Sequence, residues 1–199
     1  MAIDIGTGDG RAVLDAAARE PTTLVLGLDA NAAAMVESSR RAAGPARKGG
    51  LPNARFIVAA AEAPPIPLAG AAALVTVRFP WGSLLRGCLG LEPAVAAGVA
   101  CLVAEGGTLE LLVGPSARDG LEGVPTEVEA IVGAAGCAFE PPGLRIVVGR
   151  RATPDEIAGS GSTWAKRLAV GRTNARDGNG NGSADRAVTL VRLVRSAPR

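Results

Sequence analysis

Apolar residues along this chain come in two alternating rhythms. Short continuous runs at Met1 to Gly6, Thr22 to Leu28, Arg55 to Ala60, Ala72 to Arg78, Thr108 to Val113, Leu144 to Arg150 and Ala187 to Arg195 read as seven strands. Runs apolar on both sides are what strands buried in a parallel sheet require. Between them lie one-sided stretches that read as helices. Asp9 to Glu20 places Val13, Leu14 and Ala17 on one side, and Asn31 is set to cap a helix reaching about Ala43. Glu92 to Ala104 reads as a helix closed by Gly106 and Gly107, and Thr126 to Ala135 as a short one. Gly44 to Asn53 reads as a loop, Trp81 to Leu89 as helix or loop, and Pro154 to Leu168 as helical in pieces. The alternation predicts a doubly wound α/β fold with a mostly parallel seven-stranded sheet. Residues 1–199 are expected to form one domain. Arg176 to Asp185, rich in Gly, Asn and Asp, is expected to be a flexible loop.

Composition narrows the chemistry. Apolar residues make up 48% of the chain but aromatics only 3%, and Tyr is absent, so Ala, Val, Leu and Ile must build the core. The absence of His removes the commonest general base and the commonest metal ligand. Cys88, Cys101 and Cys137 are far apart and odd in number. They form no metal-spaced pair, so no metal is expected, and each is expected to pack as a buried thiol. No window holds the roughly 18 apolar residues of a membrane span, and no signal-peptide pattern opens the chain. The expectation is a cytoplasmic protein with no membrane partner. Net charge is +2 but uneven. Residues 1–143 carry 10 Lys/Arg against 15 Asp/Glu, a net of −5, and residues 144–199 carry 11 against 4, a net of +7. A basic C-terminal part fits either a polyanion-facing surface or a solvated face.

Four segments carry candidate chemistry. Asp4-Ile5-Gly6-Thr7-Gly8-Asp9-Gly10 lies between a predicted strand and a predicted helix, where a ligand-binding glycine turn belongs. Such a turn alone serves dinucleotides and S-adenosylmethionine alike. The leading Asp4, able to accept from a cationic amine, and the early Asp9 favour S-adenosylmethionine, because an extra carboxylate beside a pyrophosphate is unfavourable. Asp29 ends the second strand, about twenty residues on, where a carboxylate can hold ribose hydroxyls. Ala61-Glu62 follows the third strand, near the place of an adenine, although Glu62 also fits a solvated loop. Arg78-Phe79-Pro80-Trp81 follows the fourth strand at the ligand-binding edge of the sheet. Trp81 and Trp164 sit among Gly, Ser and basic residues. They fit a pair of plates for a flipped base, since base-modifying enzymes must take the target out of its stack; core filling is the alternative.

On these residues, with the Gly49-Gly50-Leu51-Pro52-Asn53 loop, the stretch Phe79 to Gly87 and the Ser162-Thr163-Trp164 segment, the chain resembles the aminoglycoside-resistance 16S rRNA methyltransferases of the kanamycin–apramycin type. That family modifies N1 of adenine 1408. The resemblance covers nearly the whole chain. It implies a Rossmann-like class I fold with a final antiparallel strand, S-adenosylmethionine as cofactor and S-adenosylhomocysteine as product. It implies cofactor contacts at Asp4, Gly6, Gly8, Asp29, Ala30, Ala61 and Glu62, at Arg78, Phe79, Pro80, Trp81, Gly82 and Ser83, and at Ser162 and Thr163. It implies target-base stacking by Trp81 and Trp164, orienting roles for Ser83 and Ser162, and rRNA contacts at Lys48, Arg86, Lys166 and Arg167. The partner is then 16S rRNA in the 30S subunit, met by a monomer. Two features depart from the family pattern. Family members usually carry an extension with a β-hairpin before their first strand, whereas this sequence starts almost at the glycine turn; either its start site is misassigned or it is a shortened homologue with a less enclosed cofactor site. The Arg176 to Asp185 stretch is longer than usual.

Adenine N1 keeps its lone pair at neutral pH, so attack on a sulfonium methyl needs no base, and placement supplies the catalysis. This agrees with a chain lacking His and Tyr, and no residue is given a proton-transfer role. Two rival readings are a methyltransferase for a small molecule and a cofactor- and ribosome-binding homologue without catalysis. A nicotinamide-dependent reductase is more distant, since neither Tyr nor His is present as a proton donor.

Overall fold

The computed structural model describes residues 1–116, 119–162 and 187–196. Its order is β1 (Ala2–Ile5), α1 (Arg11–Arg19), β2 (Val25–Asp29), α2 (Ala32–Ala42), β3 (Ala54–Val58), β4 (Ala72–Arg78), α3 (Gly82–Cys88), α4 (Pro93–Cys101), β5 (Val103–Val113), α5 (Val128–Phe139), β6 (Leu144–Arg151), α6 (Pro154–Gly159) and β7 (Thr189–Arg195). The strands form one seven-stranded sheet in the order β3-β2-β1-β4-β5-β7-β6. β3, β2, β1, β4 and β5 pair in parallel, while β7 runs antiparallel to both β5 and β6. This is the doubly wound sheet with a final antiparallel strand that the sequence leads one to expect.

The strand order reverses between β1 and β4, which pair with Asp4 opposite Thr76 and Ile5 opposite Val77. At such a switch point the connections leave in opposite directions, and a crevice opens beyond the carboxyl ends of the strands. Helices cover both faces. One side buries Leu85, Val95, Val99, Ile131, Ala135 and Phe139 against the inner strands; the other packs Val13, Leu14, Ala17 and Ala42 onto Val25 and Ala54. The Asn31 side chain accepts from the Ala34 amide at 3.4 Å and caps α2.

Two expectations are corrected. The helix predicted over Glu92 to Ala104 stops at Cys101, and β5 begins at Val103. Gly106 and Gly107 are not a helix stop but part of an irregularity in the strand. Ala72 faces Val103, whereas Leu74 already faces Thr108, so β5 carries extra residues there, as in a bulge. Gly106 has φ +69°, and a Cβ on Gly107 would come within 2.8 Å of the Ala72 carbonyl oxygen. Only Cys88 is a buried thiol, and burial pushes its pKa up to about 12. Cys101 and Cys137 are exposed, because each falls on the outer side of its helix.

Candidate functional site

The chain leaves β1 through Gly6, Gly8 and Gly10 with φ of +68°, +57° and +72°, a left-handed path that glycine adopts without penalty. The turn is stitched to the end of β2. The Gly6 and Thr7 amides both donate to the Leu28 carbonyl, at 2.8 and 3.2 Å. The Asp29 carboxylate then clasps it from outside. Asp29 Oδ2 accepts from the Gly8 amide at 2.8 Å and Oδ1 from the Asn31 amide at 2.8 Å. Asp29 is thereby fixed in orientation, and each oxygen keeps acceptor capacity for a further partner. A Cβ built on Gly8 meets nothing within 4 Å, so the turn presents open backbone to an approaching ligand. Thr7, in the middle of the turn, is 8% exposed, and its hydroxyl oxygen is buried without a partner.

Beside the turn, across the switch point, stand Asp4 and Arg78. Asp4 is 4% exposed, and its Oδ1 accepts from Thr76 Oγ1 and from Arg78 Nη1, each at 2.6 Å. The guanidinium's Nε is also buried, with no partner. β4 places Arg78 at its carboxyl end, and the chain beyond is held by an unusual turn. Phe79 has φ +50°, a conformation that costs a non-glycine residue roughly 1–3 kcal/mol. It packs against the small buried cluster formed by Leu112, Ala152, Val188 and Leu190, and its amide donates to the Leu112 carbonyl at 2.8 Å. With Phe79 anchored and Pro80 buried, Trp81 is turned outward at 58% exposure. Gly82 and Ser83 follow it, exposed, in the first turn of α3. One residue on, Leu84 lies over the glycine turn: a Cβ on Gly6 would sit 2.5 Å from Leu84 Cδ2.

Two further loops reach this edge. Ala61 and exposed Glu62 follow β3, and α4 presses on them so closely that a Cβ on Gly98 would fall 2.0 Å from the Ala61 carbonyl oxygen. After α6, Gly161 (φ +69°) lies against α1, where its Cβ would be 3.2 Å from Ala12 Cα. That contact brings Ser162 to the helix that begins at the glycine turn. The Ser162 amide donates to Ser160 Oγ at 3.3 Å.

The structure therefore gathers Asp4, Gly6, Gly8, Asp29, Arg78 to Ser83 and Ser162 along one edge of the sheet, with exposed Ala30 just beyond Asp29. Lys48 is not among them. It ends a single 3-10 turn, Ala46–Lys48, in the α2–β3 connection, at the opposite edge, where the parallel strands begin. There the Asn53 side chain donates to the carbonyls of Ala17, Glu20 and Thr23. Arg86 is engaged within the protein, its Nε on Glu92 Oε1 at 3.0 Å and its Nη1 on the Glu122 carbonyl at 3.3 Å. Thr163, Trp164, Lys166, Arg167 and the 176–185 loop lie outside the described residues. Sequence reasoning missed Thr7, Thr76, Leu84, Gly98 and Gly161. Only the two glycines carried a signal, and only the folded partner shows what each glycine accommodates. Among the described residues, no group of three His, Cys, Asp or Glu side chains is placed to hold a metal ion.

A parallel sheet split at β1 and β4, a glycine turn clasped by the carboxylate ending β2 and a reversed β7 define a class I methyltransferase. The model of one protein family, NpmA, described as 16S rRNA (adenine(1408)-N(1))-methyltransferase, matches residues 1–177. A protein of that name from Streptoalloteichus tenebrarius is 35% identical over 173 residues, covering 84% of this chain and 80% of the relative. One from Escherichia coli is 30% identical over 177 residues, covering 85% and 81%. The crystal structure of the 16S rRNA methyltransferase KamB superposes with a TM-score of 0.80 at 31% identity, over 98% of this chain and 87% of that one. A mutant of the 16S rRNA (adenine(1408)-N(1))-methyltransferase from Catenulisporales acidiphilia, solved with its cosubstrate SAM, gives 0.78 at 30% identity, over 100% and 86%. This chain belongs to the 16S rRNA (adenine(1408)-N(1))-methyltransferase family and is an S-adenosylmethionine-dependent methyltransferase.

Proposed function

We propose that the protein transfers a methyl group from S-adenosylmethionine to N1 of adenine 1408 in 16S rRNA within the assembled 30S subunit, leaving S-adenosylhomocysteine. The observation that carries this reading is Trp81, held out at 58% exposure on an anchored loop at the switch-point edge.

The residues there fit the cofactor. Asp29, its oxygens already oriented by two amides, takes the ribose hydroxyls. Ala61 and Glu62 stand on the adenine side. Asp4, Thr7 and the glycine turn take the amino-acid end, where the buried Thr7 hydroxyl and Arg78 Nε still lack partners. The cofactor supplies an electrophilic methyl on a sulfonium. The protein's part is placement. Trp81 stacks on the extruded adenine, with Trp164 as its second plate, while Ser83 and Ser162 orient the reacting groups. Since N1 already carries its lone pair, alignment replaces proton transfer.

Methylation leaves a cationic base in the decoding site, and like charge there opposes polycationic aminoglycosides; resistance is the expected consequence. Work on ribosomes places the enzyme in the cytoplasm. It acts as a monomer, because docking on a subunit needs this edge of the sheet clear. Lys166 and Arg167 meet rRNA phosphates; Lys48, at the far edge, and Arg86, already paired, contribute less.

The test is primer extension across the decoding site of 30S subunits incubated with the protein and S-adenosylmethionine. N1 methylation blocks Watson–Crick pairing, so a cofactor-dependent stop one nucleotide before adenine 1408 is expected. No stop, with cofactor binding intact, overturns the target and favours a small-molecule substrate.

A further inference from the structure

We infer that Glu156, gripped by Arg150 at the start of α6, is a positioning residue for methyl transfer: it sets α6 as a brace between the loop that carries Trp81 and the glycine-turn side of the site. The inference rests on the function proposed above and extends it to residues with no part in that reading. α6 reaches both sides of the switch point. On one side Ile157 packs against the cluster of Leu112, Ala152, Val188 and Leu190, the same cluster that Phe79 packs against. On the other, Gly161, the residue after the helix's C-cap, lies against α1: a Cβ there would be 3.2 Å from Ala12 Cα and 3.3 Å from Asp15 Oδ2. α1 in turn begins where the glycine turn ends.

A helix of 6 residues does not hold its own direction, since helices this short are marginal without outside contacts. Here the direction is set from β6 and from the helix start together. Arg150 Nη2 donates to Glu156 Oε1 at 2.7 Å and Nη1 to Oε2 at 2.9 Å, a two-point fork that fixes geometry. The same carboxylate accepts from the Thr153 amide at 2.8 Å, while Thr153 Oγ1 accepts from the Glu156 amide at 3.2 Å, a reciprocal cap. As a source of stability such a part-exposed pair counts for little; its effect is on orientation. What the orientation controls lies at the other end of α6. The hydroxyl of buried Ser160 donates to the Ile157 carbonyl at 2.7 Å and accepts from the Ser162 amide at 3.3 Å. Tilting α6 therefore moves Ser162, two residues before Trp164 in the chain. It also loosens the cluster that Phe79 packs against, two residues before Trp81.

The experiment follows methyl transfer to 30S subunits by the full chain. kcat and the KM for subunits are determined separately, S-adenosylhomocysteine binding is measured by calorimetry, and circular dichroism confirms folding. Glu156→Ala is expected to lower kcat by roughly tenfold, less than the roughly hundredfold that about 1 Å of misplacement can cost, with KM and S-adenosylhomocysteine affinity within about threefold of wild type. Glu156→Gln keeps one acceptor oxygen, able to serve both the Thr153 amide and Arg150, and should restore kcat to within about threefold. Arg150→Gln breaks the fork from the strand side and should slow kcat without raising KM. A spectroscopic readout needs no turnover. The chain has 2 tryptophans, so Trp164→Phe leaves Trp81 alone. In that background Glu156→Ala should enlarge the fast, local part of the Trp81 fluorescence anisotropy decay, and Glu156→Gln should not. An unchanged kcat in Glu156→Ala, a rise in KM alone, equal slowing by Glu156→Ala and Glu156→Gln, or an unchanged anisotropy decay overturns the brace while leaving the proposed function intact. No methyl transfer by the wild type overturns that function, and the anisotropy comparison then decides the brace by itself.

Discussion

Gly98 offers a sharp test of how the adenine-side loop is held. In a helix interior, replacing Gly by Ala ordinarily stabilises by roughly 0.5–1 kcal/mol, because glycine loses more backbone freedom on folding. At Gly98 of α4 the sign should reverse. A Cβ there would lie 2.0 Å from the Ala61 carbonyl oxygen, 3.0 Å from the Ala61 carbonyl carbon and 3.0 Å from Glu62 Cα. All three are backbone atoms, so no side chain can rotate away, and about 1.5 Å of movement is needed to reach ordinary contact. Overpacking of this kind costs about 3 kcal/mol at the top of its usual range. Less the gain in helix propensity, Gly98→Ala should lose about 2 kcal/mol, a fall in Tm of about 4–8 °C for a chain of this size. The matched control is Gly133→Ala in α5, where an added Cβ meets nothing within 4 Å; its Tm should rise by about 1–4 °C. Differential scanning fluorimetry reads both. The displaced Ala61-Glu62 loop should also weaken S-adenosylhomocysteine binding in Gly98→Ala but not in Gly133→Ala. A Tm that rises in both variants would refute the close approach of α4 to that loop.

Trp81→Ala should slow methyl transfer to 30S subunits by roughly tenfold to a hundredfold while leaving cofactor affinity within about threefold, since the exposed ring is a stacking plate worth roughly 1–3 kcal/mol to a base; normal turnover would remove Trp81 from the mechanism. Glu156 gives a pH prediction. The Arg150 guanidinium and then the Thr153 backbone amide, bonded to its carboxylate, hold its pKa down to about 2 from an ordinary 4.5. A depressed folded-state pKa means that its contribution is fully present above pH 4.5 and is lost as pH falls towards 2. The difference in Tm between wild type and Glu156→Gln should therefore be flat near neutrality and shrink across that acid window. A gap that instead widened on acidification would contradict the assignment.

What the sequence revealed of all this follows from how local each cause is. β4 was readable to the residue, Ala72 to Arg78, because an apolar run bounded by Gly and Pro carries its own limits. The cap at Asn31 was readable for the same reason, since its acceptor serves an amide three residues on. Gly106 and Gly107 were misread because a glycine pair suits a helix stop and a strand irregularity equally; the choice is made by pairing with β4, more than thirty residues away in the chain. Charge was the least transparent property. Arg86 looked available for phosphate until the fold brought Glu92 and the Glu122 carbonyl to it. Arg78 was placed at the site, but its partner lies 74 residues back, and no spacing rule links them.

Catalysis by placement puts its demands on the backbone rather than on any titrating group, and the strongest constraints of this structure lie there. Asp29 ties the glycine turn to β2 through two amides. Phe79 holds a left-handed backbone while packed against the cluster of Leu112, Ala152, Val188 and Leu190, and Trp81 two residues on is turned out. Gly98 lets α4 seat the Ala61-Glu62 loop without a gap. By contrast, exposed pairs such as Arg40 with Glu37 are solvated and contribute little. The three constraints converge from different strands on a single edge. Each trades local backbone freedom for position, which is what a reaction needs when its nucleophile arrives already carrying a lone pair and only the line of attack remains to be set.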